Sequence, residues 1–167
     1  MTEIKIVPGT EKDIKEIIRF INALAVYEKL ENEVVVTEDL LKKNLFGEKR
    51  FAEVIFLQEN SINVGFALFF NNFSTFLGTP GIYLEDLFVF PEHRGKGFGK
   101  AILTYLAALA LERGYGRFEW SVLDWNTPAI EFYHSMGAVP MNEWTVQRLS
   151  GEALRIVASQ SKYQLSN

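Results

Sequence analysis

The sequence predicts an α/β (α+β) fold, a mixed and mostly antiparallel twisted sheet flanked by helices. Three observations predict it. Three strand-like runs, "FAEVIFLQ", "SINVGFALFFNNF" and "GIYLEDLFVF", follow one another with short connections, which favours antiparallel neighbours. A long helical period, "KAILTYLAALALERG", then separates them from a further strand, "RFEWSVL", as a parallel crossover would. Two shorter helical periods precede the three runs. The whole order reads β-α-α-β-β-β-α-β-α-β-β. At 167 residues the chain suits one domain, 1–160, with a polar tail at 161–167 expected to fray.

The elements follow in order. "IKIVP" is the first strand, closed by Pro8. Thr10 can cap the next helix, with Asp13 reaching back as a shorter counterpart of the Glu of a capping box. Ile14, Ile17, Ile18, Ile21, Leu24 and Ala25 continue it at a helical period. Thr37 caps a second helix, with Leu40, Leu41 and Leu45 expected inward and a stop near Gly47. Glu59-Asn60-Ser61 joins two strands as a hairpin, and Pro91 ends the third central strand. In the long helix Ile102, Leu103, Leu106, Leu109 and Ala110 make the buried stripe, and Gly114 is placed to end it. "NTPAIEFYHSMG" is a short helix with Asn126 or Thr127 as N-cap, Pro128 in the first turn and Gly137 at the end. "WTVQRLSGEALRIVA" is expected to close the sheet as a hairpin turning at Ser150-Gly151.

Composition excludes several classes of function. Apolar residues make up 48% and charged residues 23%, as in a folded soluble protein. No apolar run reaches the roughly 18 residues of a membrane span, and the charged N-terminus lacks a secretory h-region, so a cytoplasmic protein without a membrane partner is expected. The chain has no Cys, which rules out a thiol nucleophile, disulfides and a Cys-rich zinc site. His93 and His134 lack ligand spacing and read as surface residues, so no metal is expected. A net charge of −4 argues against nucleic acid as the main partner and is compatible with a cationic substrate.

The chemistry concentrates in "YLEDLFVFPEHRGKGFGKAIL", residues 83–103. A glycine-rich turn entering a helix presents unpaired N–H groups at the positive end of the helix dipole, a ready anion site, and Arg94, Lys96 and Lys100 add charge. A glycine turn with solvated cations is the alternative. The spacing fails a P-loop, because Gly99-Lys100 is followed by Ala101. It fails a dinucleotide fingerprint, because Lys100 stands where the last Gly belongs. What fits is Arg-x-x-Gly-x-Gly at Arg94, Gly97 and Gly99. This resembles the pyrophosphate loop of the GCN5-related N-acetyltransferases (GNAT), and "NTPAIEFYHSMGA" resembles that family's second motif. Within the family, "VYEK", "YLEDLFV", "RGKGFG" and "FYHSMGA" are spaced as in the spermidine/spermine (diamine) and thialysine N-acetyltransferases.

The resemblance implies a GNAT fold with acetyl-CoA between splayed central strands. Leu87, Phe88 and Val89 would pair with the pantetheine arm. Arg94, Gly95, Lys96, Gly97, Phe98, Gly99 and Lys100 would receive the pyrophosphate. Asn126, Pro128 and Ala129 would flank the cofactor, and Tyr133 would sit near the thioester as proton donor to the leaving thiolate. A tyrosine, with an ordinary pKa near 10, suits that task. Strand alternation puts Glu85, Leu87 and Val89 on one face and Asp86, Phe88 and Phe90 on the other. The resemblance assigns Glu85 to the amine pocket, as binder or base, and leaves Asp86 a structural acceptor. Tyr27 and Glu28 match an acceptor-binding pair, with Glu31 and Glu33 nearby. Glu119, Trp120 and Ser121 align with a stretch lining the acceptor site, and Glu143 beside Trp144 is a further candidate. The partner expected is a small cationic amine: a diamine or polyamine first, with thialysine-like amino acids and protein amines as rivals, and a non-catalytic CoA-binding module as the other class. Family members of this type are commonly homodimers, and "LRIVA" is suited to strand pairing between copies.

Overall fold

The structure, a computed structural model, describes residues 2–162. They fall into two compact units, 2–121 and 122–162. Of the tail expected at 161–167, residues 163–167 lie outside the described residues. No described helix is long and apolar enough to cross a membrane.

The first unit is a five-stranded sheet in the order β1-β2-β3-β4-β5. Strands β1 (Ile4–Pro8), β2 (Glu53–Glu59), β3 (Ile62–Ser74) and β4 (Thr79–Val89) are antiparallel neighbours. β5 (Phe118–Trp120) runs parallel to β4 after the crossover helix α3 (Phe98–Glu112). Helix α1 (Ile14–Glu28) covers one face. It starts as expected: the Asp13 carboxylate accepts from Thr10 N–H (2.8 Å) and from Thr10 Oγ1 (2.6 Å). Its Phe20 is fully buried, with ring centroids of Phe66 at 5.0 Å and Phe56 at 5.7 Å. On the opposite face, α3 approaches closely enough that a Cβ on Gly65 would stand 3.2 Å from Ile102 Cδ1.

Two expectations about helices are corrected. Thr37 does cap α2 (Glu38–Leu41), accepting from Leu40 N–H at 3.2 Å, and Leu41 and Leu45 are buried. Leu40, expected inward, is 48% exposed. Leu40 lies in the regular α turn beside Leu41, and adjacent helical residues point about 100° apart, so with Leu41 turned inward Leu40 falls at the edge of the buried face; a π-helical stretch, Lys42–Phe46, follows. In the second unit α4 (Thr127–Ser135) begins at Asn126 with Pro128 in its first turn, as expected. The closing hairpin does not form: Gly151–Ser159 is helix α5. "LRIVA" is therefore helical and offers no strand edge for pairing between copies. Ala, Leu, Glu and Arg are strong helix formers, and a short apolar run carries no period that separates helix from strand. Gly151 does take the positive φ, 54°, that a turn reading requires.

The core places a large load on Phe20. Phe20→Ala is expected to cost about 3–5 kcal/mol, read as a lower denaturant midpoint. Phe76→Ala, at a fully exposed position, is expected to change stability by less than about 0.5 kcal/mol. Similar losses for both would overturn this account of the core.

Candidate active site

β4 departs from regular pairing at the acidic pair. Leu68 of β3 faces Asp86, and the next residue, Phe69, faces Leu84, so Glu85 is an extra residue without a partner, a β-bulge. A bulge resets alternation. The expectation that Glu85 and Asp86 point to opposite faces is therefore corrected: both line one cleft of about 530 Å³. Its apolar walls come from Ile21, Leu24 and Ala25 of α1, from Leu40, and from the segment Leu30, Val34, Val35 and Val36. Glu28 and Glu33 complete the lining, which makes four carboxylates and no cation among the described lining residues. Burial pushes the Asp86 carboxyl up to about 7, with the charges of Glu85 and then Glu28 adding to the shift. Burial also raises Glu28. A cation entering the cleft would offset that cost.

The sheet opens beside the cleft. Pairing of β4 with β5 ends at Leu84↔Trp120, so Leu87, Phe88 and Val89 have a strand partner on the β3 side alone. Beyond β4 the glycine loop enters α3. The first helical bond runs from Ala101 N–H to the Gly97 carbonyl (3.0 Å), so the helix offers no acceptor to the N–H groups of Phe98, Gly99 and Lys100. Gly95 and Gly97 have φ of 76° and 81°, where a side chain is strained. Gly99 has no such need, and a Cβ there would meet nothing within 4 Å. The protein's own packing does not explain that glycine, and its backbone is open to close approach. The loop's cations are partly engaged. Arg94 Nε donates to the Val89 carbonyl (2.9 Å), and its guanidinium lies over the rings of Tyr27 (4.7 Å) and Phe88 (5.3 Å). Lys96 pairs with Glu59.

Glu119, Trp120 and Ser121 are not among the described lining residues of the cleft. The Glu119 carboxylate accepts from Asn72 Nδ2 (2.7 Å) and pairs with Arg117 (2.9 Å), which ties β5 to β3. The Trp120 ring packs on Phe118 (4.9 Å), and Ser121 Oγ is 2.6 Å from the Tyr83 hydroxyl. In the second unit Asn126, Pro128, Ala129 and Tyr133 lie at or on α4, with the Tyr133 ring 5.5 Å from Phe132, and Glu143 lies in an exposed turn. Sequence reasoning took Asp86 for a structural acceptor and did not single out Val34, Val35 and Val36, all of which line the cleft. The two adjacent carboxylates in an apolar strand marked the place, but not that both would line one cleft; Val34–Val36 gave no signal.

Residues 15–138 match the model of the Acetyltransferase (GNAT) family. The chain belongs to the GNAT acetyltransferase family. This GNAT chain is 37% identical to a thialysine N-epsilon-acetyltransferase of Sus scrofa, across 95% of its own length and 99% of that protein. It is 34% identical to the L-ornithine N5-acetyltransferase NATA1 of Arabidopsis thaliana, across 89% and 85%. An integron cassette protein of V. cholerae has a similar structure, with a TM-score of 0.79 at 26% identity over 94% of this chain and 98% of that one. As a GNAT enzyme it is an N-acetyltransferase, and GNAT acetyltransferases use acetyl-CoA as cosubstrate. The open edge of β4 and the unfilled space at Gly99 fit that cosubstrate.

Asp86 makes stability depend on pH. Its pKa rises from the ordinary 3.8 to about 7 on folding, so between those values the folded chain holds a proton the unfolded chain has lost. The group's contribution to stability therefore falls as pH rises across that window. Asp86→Asn is expected to remove this part of the decline, so that its melting temperature gains on the unsubstituted protein from about pH 4 to about pH 7. Parallel melting curves across that range would overturn the assignment.

Proposed function

We propose that the chain transfers the acetyl group of acetyl-CoA to a primary amine of a small acceptor carrying a second positive charge, by direct attack in a ternary complex. The observation that carries this is the acidic cleft, with Glu28, Glu33, Glu85 and Asp86 against apolar walls. Burying a cation needs paired charge, and the raised pKa values of Asp86 and Glu28 reflect negative groups held without enough of it. Acetyl-CoA supplies a thioester carbonyl for the amine to attack. Asp86, held near neutrality, is matched to take the ammonium proton so that nitrogen becomes nucleophilic. Glu85 holds the amine beside it, and Glu28 and Glu33 hold the distant cation. The N–H groups of Phe98, Gly99 and Lys100 are suited to the pyrophosphate. On the strength of its motif, Tyr133 donates the proton that leaves with the CoA sulfur.

Diamines or polyamines suit the cleft, since none of its described lining residues would pair with an acceptor carboxylate. A second reading, a diamino acid acceptor, is favoured by likeness to the thialysine and ornithine enzymes. Turnover of a diamine against the amino acid of equal chain length separates the two.

Glu28→Gln is expected to raise KM for a diamine more than for a monoamine of equal length, because only the diamine loses an ion pair. Equal factors would overturn the acidic-cleft account of specificity. Tyr133→Phe keeps the ring and removes the donor; kcat is expected to fall about 10²-fold, with acetyl-CoA affinity little changed. Near-normal kcat would assign the proton to another group.

A further inference from the structure

An ion cluster beside the glycine loop has no part in the reaction described so far. Glu59 ends β2 at the Asn60-Ser61 turn, where both residues have positive φ, 51° and 66°. That turn is held from the start of the chain. Glu3 N–H donates to Asn60 Oδ1 (3.0 Å), and Asn60 N–H donates to the Glu3 carbonyl (2.8 Å). So placed, the Glu59 carboxylate stands 2.7 Å from His93 Nδ1 and receives Lys96 Nζ at 2.9 and 3.0 Å. Its side chain is only 14% exposed. Lys96 first, and then His93, hold its pKa below the usual carboxylate range.

The arrangement is unexpected for a loop that receives an anion. A carboxylate there repels phosphate and occupies a lysine that could bind it. What it gains is a fixed backbone. His93 and Lys96 bracket Arg94 and Gly95, and Arg94 is fastened to the Val89 carbonyl. From His93 to Lys96, every residue but the glycine is anchored by its side chain to β2 or β4.

The geometry points to Glu59 as a positioning residue for acetyl-CoA: through His93 and Lys96 it holds the loop before α3 in its anion-receiving shape before the cosubstrate arrives. Binding then does not carry the cost of ordering the loop. This inference rests on the acetyl-CoA reading of the loop.

Glu59→Gln tests it. The Kd of CoA, measured by calorimetry, and the KM for acetyl-CoA are expected to rise about tenfold, the scale of ordering a short segment on binding. The kcat at saturation and the KM for the amine should not move. Amide hydrogen exchange at 93–97 should accelerate in the unliganded variant. An acetyl thioester of a short thiol, which lacks the pyrophosphate, should be turned over equally by both proteins. His93→Gln, which keeps Glu59 and Lys96, should act in the same direction by less, and it serves if Glu59→Gln does not fold. Unchanged or tighter CoA binding in the variants would overturn the inference, because Glu59 would then only compete with phosphate for Lys96. Equal loss with both thioesters would also overturn it, as a general structural effect. If the unsubstituted protein does not bind CoA, the acetyl-CoA reading itself falls and takes this inference with it.

Discussion

One residue more in β4 than β3 can pair sets the geometry of the site. Glu85 interrupts the ladder between Leu84 and Asp86, and the strand changes face around it. Two carboxylates that strict alternation would have separated then reach the same cleft. Just before that point the pairing with β5 ends at Leu84. The acidic cleft and the open strand edge therefore arise within a few residues of each other. An acceptor amine and a backbone-paired cosubstrate can be served by one length of strand.

The first unit separates charge along its own chain. Upstream of Phe88, β4 and the end of α1 collect carboxylates that no described lining residue neutralises. Downstream, the loop collects Arg94, Lys96 and Lys100 around glycines. In the loop the cations are restrained: Arg94 is stacked on Tyr27 and Phe88, and Lys96 is paired with Glu59. Tyr27, expected to contact the acceptor, is seen instead to brace the loop, linking α1 to the residues after β4. The cleft and the loop share a support, since α1 lines the one and contacts the other.

Local signals in the sequence were legible where the cause of the structure is local. The Thr10–Asp13 box, the Thr37 cap, the Asn60-Ser61 turn and the ends at Gly114 and Gly137 each depend on residues a few positions apart. The antiparallel pairing of the three central strands and the parallel crossover to β5 followed from short connections and one long helix. What failed depended on partners distant in sequence or on ambiguous short runs. The bulge at Glu85 exists because of how β3 is paired, so no pattern inside "YLEDLFV" reveals it. Leu40 was misplaced because it neighbours Leu41, about 100° round the helix from the buried side, and "LRIVA" is a short apolar run with no period that decides between helix and strand. Of the candidate site, the glycine loop was read from its motif and Glu28 from its resemblance, whereas the contacts of Glu59 with His93 and Lys96 join β2 to the loop and follow no local pattern.

The vacant space at Gly99 bears on how this enzyme would respond to selection for heat resistance. A glycine inside a helix costs up to about 1 kcal/mol relative to alanine, less in the first turn. Among the described residues, nothing beyond its chain neighbours and its own helix backbone stands within 4 Å of the methyl group that alanine would add. A screen for stability alone would therefore favour Gly99→Ala, and under the proposed reading of the loop it would do so by filling space that the pyrophosphate is to approach. At this position thermal robustness and catalytic fitness draw the sequence in opposite directions. The glycine persists as a small deliberate weakness in the folded chain.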